Sequence, residues 1–159
     1  MDKVTETPLQ LFTAAAGDIT QIVRTINDRD NREFPIEFSY GNICFNATQM
    51  IEKYLKGYII ENNKIVDKSH NLNYLREYAQ SINKEFEKIE EECLLLNEFT
   101  PAIRYGGEQQ VTEEEINTVF KALVTVYNFE PLKKLREKLE KEGNLAILPD
   151  IKDKLIFKK

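Results

Sequence analysis

Two short stretches and one loop carry the side chains best able to do chemistry. Glu52-Lys53-Tyr54-Leu55-Lys56 puts a carboxylate and two ammonium groups within one and a half helical turns. At the i to i+4 spacing, Glu52 and Lys56 can pair on one helix face. His70 is the single histidine of the chain and stands in Ser69-His70-Asn71-Leu72. Imidazole as a group has an ordinary pKa near neutrality, which suits this residue type to general acid–base work. Arg104-Tyr105 precedes Gly106-Gly107. A guanidinium there can grip a phosphate through two donors or reach carbonyls at a helix end, and a phenol can stack on a base or plug the end of a bundle.

Each of these has a plainer structural use. Ser69, His70 and Asn71 can all hydrogen-bond the free N–H groups that open a helix, so a capping role is the first expectation for His70. Glu52 with Lys56 reads first as a solvated surface pair; a buried Glu52 would demand a partner, for which Arg104 is the candidate. From Glu85 to Glu98 there are six Glu and one Lys. That run reads as a solvated acidic face, or else as a docking surface for a basic partner that repels RNA. Cys44 and Cys93 lie far apart on apolar stripes and are expected to be buried, reduced thiols. One histidine and two distant cysteines do not make a metal-ligand set, and no metal or cofactor is expected.

The elements that must position these groups are helical. Thr7-Pro8-Leu9-Gln10 has a capping-box spacing with proline in the first turn. Leu9, Phe12, Ala16, Ile19, Val23 and Ile26 then draw one apolar face, which the polar run Asn27–Arg32 and Pro35 are expected to end. A second helix is expected over Ile36–Asn62. Its stripe of Tyr40, Ile43, Ala47, Met50, Ile51, Tyr54, Leu55 and Tyr58, widened by Cys44, Phe45 and Ile59, is broad enough to meet neighbours on more than one side, which makes it the central helix. From Leu72 to Leu96 the three-four rhythm continues, and a break near Asn83, a good cap, is favoured over one long helix. Thr112–Glu115 is a second capping box; Pro131 must kink or restart the helix that follows; Gly143 ends the last one. The class is all-α: an antiparallel four-helix up-and-down bundle with one or two additional short helices, spanning 1–143, followed by a C-terminal arm, 144–159.

The bulk numbers agree with one globular domain. The 159 residues are 42% hydrophobic and 31% charged, with net charge -5. A chain of this size buries about 70% of its unfolded surface and needs no disulfide or metal to fold. The acidic balance argues against an overall electrostatic grip on nucleic acid, leaving room for a local basic patch. No signal-peptide core and no run near the roughly 18 apolar residues of a membrane span appear, so a cytoplasmic protein with no membrane partner is expected.

Three motifs in order resemble the HEPN domain family. They are Ala47 followed by Glu52-Lys53-Tyr54-Leu55-Lys56, then His70-Asn71-Leu72, then Ala102-Ile103-Arg104-Tyr105. The likeness covers about residues 8 to 140 and implies an antiparallel helical bundle that pairs as a homodimer. It further implies a nucleotide, nucleic acid or RNA as ligand, and a small nucleotidyltransferase as partner in toxin–antitoxin or defence systems. Ribonuclease members carry R-x4-6-H; here the positions at that spacing are Asn63, Lys64 and Ile65, so the arginine is absent. The tyrosine that partner enzymes modify in some members is replaced by Leu72, with Tyr74 out of register. The resemblance thus implies a module that binds a nucleotide, a nucleic acid or a protein partner, leaning away from catalysis, with Lys53, Lys56, His70, Arg104 and Tyr105 as ligand contacts. The alternatives are a metal-independent ribonuclease using His70 with Lys64 or Arg104, and a protein-interaction partner acting through its acidic face or C-terminal arm.

Overall fold

A computed structural model describes residues 2–30, 36–99 and 111–143. Their order is α1 (Pro8–Asp30), α2 (Ile36–Glu61), α3 (Leu72–Ile82), a 3-10 segment (Lys84–Ile89), α4 (Glu90–Asn97), α5 (Glu113–Tyr127) and α6 (Glu130–Gly143). The all-α expectation holds. Among the described residues, extended pairing is limited to one antiparallel bridge, between Lys3 and Asp67. The C-terminal arm lies outside the described residues.

Local signals set the helix ends. Thr7 Oγ1 accepts from Gln10 N at 3.1 Å while Gln10 Oε1 accepts from Thr7 N at 2.9 Å, a reciprocal capping box. Thr112 and Glu115 repeat it at the start of α5. Asn83 ends α3 and opens the 3-10 segment, its side chain accepting from Glu85 N. Pro131 cannot extend α5, which stops at Tyr127 before α6 begins. One boundary differs from expectation. The run Asn27–Asp30 continues α1 by a further turn, because none of its residues forbids helical backbone and propensity alone is a weak brake.

α2 is the centre, packed against α1, α3, α4, α5 and α6. Ile43, Cys44, Ala47, Met50, Ile51, Leu55 and Ile59 are wholly buried on it. Its approach to α1 is close. A Cβ on Gly57 would stand 2.6 Å from the Phe12 ring, and that ring packs on Tyr54 with centroids 4.7 Å apart. On α1 the buried face is Leu11, Phe12, Ala15, Ile19 and Ile22. That is one residue round from the expected stripe at Ala16 and Val23, because neighbouring apolar residues make the phase ambiguous.

Candidate functional site

Enclosure of α2 decides the fate of its charged residues. Glu52 and Lys56 are only 6% and 5% exposed. A carboxylate and an ammonium that far from water must satisfy each other or find other partners. Lys56 Nζ donates to Glu52 Oε2 at 3.0 Å. The other carboxylate oxygen, Oε1, lies 2.8 Å from His70 Nδ1. The expected Glu52–Lys56 pair therefore forms, but as a buried pair and not as a solvated edge: α3 and the loop before it close over that side of α2.

That loop is held from several directions. Val4 N donates to Val66 O at 2.9 Å and Lys68 N to Asp2 O at 3.2 Å, which straps the N-terminal segment along it. Ser69 N donates to Asp67 Oδ1, and Asn71 N to Ser69 Oγ. Asn71 is the residue that caps α3, accepting from Tyr74 N at 3.0 Å, and Asn97 of α4 reaches back to accept from Leu72 N at 2.9 Å. The cap expected of His70 thus falls to its neighbour, and the imidazole turns instead to Glu52. With its side chain 44% exposed, His70 is the member of the cluster that meets solvent.

The other candidates are placed apart from this pair or tied up. Lys53 Nζ donates to Asp18 of α1 at 2.6 Å. Burial pushes the Asp18 carboxyl up from its ordinary range, with the Lys53 ammonium pulling the other way. Lys64 is exposed in the turn that ends α2. There Asn63 takes a left-handed φ of 63°, Asn63 N donates to Ile60 O and Lys64 N to Ile59 O, which is the Schellman pattern. Arg104 and Tyr105 lie outside the described residues. The two cysteines are buried as expected, and burial pushes both thiols up to about 12. Among the described residues no group of three His, Cys, Asp or Glu is placed to hold a metal ion.

Two buried arginines escaped sequence reasoning. Arg76 of α3 donates from Nε and Nη2 to Asn73 Oδ1 and from Nη1 to Gln80 Oε1, with Glu90 of α4 at 3.6 Å. The i−3 and i+4 spacing of Asn73 and Gln80 was a legible helical signal. Arg136 of α6 donates to the Tyr127 carbonyl at 3.0 Å and lies 3.9 Å over the Tyr127 ring. Nothing local marks it. Within the acidic run, Glu85, Glu87, Glu90, Glu91 and Glu98 are exposed, with Lys88 paired to Glu85.

What the central cluster can do follows from its parts. A carboxylate on Nδ1 orients an imidazole and leaves its chemistry to Nε2, as the orienting acid does in acid–base sites. Lys56 balances the Glu52 charge inside the protein. The motif set that carries the cluster also decides the family, since the HEPN domain profile matches residues 32–139. The chain belongs to the HEPN domain family. The match runs from just before α2 into α6 and contains Glu52, Lys56, His70 and Arg104, while the whole of α1 lies upstream of it. No curated protein and no solved structure matches the chain. Among the described residues of this HEPN protein no helix is long and apolar enough to cross a membrane.

Proposed function

We propose that this HEPN protein is a homodimeric, four-helix up-and-down binding module that takes a nucleotide or a nucleic-acid end at His70. The observation that carries the reading is the cluster itself: a buried Glu52–Lys56 pair supporting one half-exposed imidazole. Such a cluster costs desolvation that a purely structural helix surface would avoid. Lys53 and Lys56, engaged with Asp18 and Glu52, shape the site, and Arg104 with Tyr105 is proposed to complete it by gripping phosphate and stacking on the base. Beside His70 in the chain, Ile65 is 63% and Tyr74 41% exposed, and Tyr78 OH donates to Ile65 O at 2.7 Å. That apolar ground is the proposed meeting surface of two copies. A minimal nucleotidyltransferase is the proposed protein partner, and residues 144–159 are proposed as an arm outside the 1–143 module.

The test is a titration with AMP and with a short single-stranded RNA, followed at the ring signals of the lone histidine. Ligand-dependent shifts, lost in Arg104→Ala, support the module. Unmoved ring signals at millimolar ligand defeat it. A sedimentation experiment on Ile65→Glu, expected to be monomeric, tests the dimer surface.

The Glu52–His70 contact also favours a second reading, a metal-independent ribonuclease with His70 as acid–base and Lys64 or Arg104 as its cation. RNA cleavage by the native chain that disappears in His70→Ala would establish it. Absence of cleavage in both removes it.

A further inference from the structure

We infer that Glu52 is a positioning residue for His70: it fixes the imidazole in the tautomer whose proton sits on Nδ1, making Nε2 the lone-pair atom of the ring. The argument is a count of donors and acceptors. Lys56 Nζ has donors only, so the Glu52 oxygen it meets at 3.0 Å must accept. An ionised carboxylate accepts at both oxygens, so the ring nitrogen 2.8 Å from Oε1 must donate. Both partners of that bond are held. Glu52 sits mid-helix on the most enclosed helix, and the His70 backbone is pinned between the Asp67–Ser69 turn and the Asn71 cap. A free imidazole in water prefers its proton on Nε2; here the protein reverses that preference.

The reversal sets what His70 offers. In the neutral ring Nε2 is an acceptor, so the chemistry matched to it is a hydroxyl or an N–H, such as a sugar hydroxyl, and not a bare anionic oxygen. This rests on the proposal that His70 meets ligand, but the tautomer is a property of the protein alone and is read without any ligand.

Because the chain has one histidine, a long-range proton–nitrogen correlation spectrum of histidine-labelled protein shows a single ring. At pH 9, above the ordinary imidazole range, the native chain is expected to show a protonated Nδ1 and an unprotonated Nε2 as the major form. In Glu52→Leu/Lys56→Leu, which removes both charges together, the major form is expected to switch to the Nε2 proton. A native ring already protonated on Nε2 overturns the inference, and so does a folded double variant whose ring is unchanged. If the double variant does not fold, the native spectrum alone decides. A purely structural role for Glu52 would change the melting temperature and leave the tautomer where it was. Failure of AMP or RNA to bind sinks the proposed function and does not touch this result.

Discussion

Two buried cations of this protein are treated in opposite ways. Lys56 is neutralised by a carboxylate, and that carboxylate is shared with a half-exposed imidazole. Arg136 has no such partner among its described contacts. It is satisfied by the Tyr127 carbonyl near the C-terminal end of α5 and by the faces of Tyr127 and Tyr54, the second at 5.9 Å. A helix C-terminus is electronegative and an aromatic face attracts cations, so the guanidinium is stabilised by fixed groups that do not titrate near neutrality. The Arg136 region is a sealed joint between α2, α5 and α6. The Lys56 region ends at the surface in a group that can exchange protons and hydrogen bonds. Burial of charge thus marks structure in one place and a candidate site in the other, and the difference is whether the network has a member facing water.

The largest effect expected is alkaline unfolding, and it belongs to the sealed part of the molecule. Burial pushes Tyr54 up to about 12 from 10.0, with Arg136 opposing, and both thiols up to about 12 from 9.0. In each case the native state keeps a proton that the unfolded chain releases. Stability is therefore full below pH 9 and falls as pH rises towards 12, by up to about 1.4 kcal/mol per pH unit for each group. Tyr54→Phe should flatten this slope above pH 10 in urea-unfolding curves, and it should leave the His70 tautomer unchanged.

Next come single truncations of the buried pair. Glu52→Ala or Lys56→Ala leaves an uncompensated charge and should cost about 3–5 kcal/mol. The double Leu variant should recover most of that loss. A double variant as unstable as the sum of the singles would mean that the pair is not a coupled unit. Arg136→Ala should cost somewhat less, about 2–3 kcal/mol, through the orphaned Tyr127 carbonyl and the lost ring contact. Arg136→Lys should recover only part of it, because an ammonium lacks the planar fork. The smallest effect is expected at His70. His70→Ala should change stability by less than about 1 kcal/mol, since the side chain is half exposed and Glu52 keeps Lys56. Thermal melts rank the three positions. A large loss at His70 would erase the distinction between the two regions.

What the sequence made legible was local. The capping boxes at Thr7 and Thr112, the stop at Asn83 and the restart at Pro131 depend on residues within a few positions of one another, and all four stand in the structure. The breadth of the α2 stripe correctly announced a helix with neighbours on several sides. The phase of α1 was not fixed by pattern, because Ala15-Ala16 and Ile22-Val23 offer equivalent apolar choices and only the partner helix selects between them. The Glu52–His70 contact joins residues 18 positions apart around a turn. Each was visible, but Glu52 looked like half of a surface pair and His70 like a cap, since local rules say nothing of what closes over α2. Arg136 was illegible for the same reason: its partners are a carbonyl nine residues back and rings on two other helices.

The segment Asp2–Val4 lies against Val66–Lys68, two residues ahead of the imidazole. Anything fused in front of Asp2 therefore emerges beside the site and not at a remote pole. An affinity tag placed there would crowd His70, and a cleavable one would make its removal a built-in control for every ligand measurement on this protein.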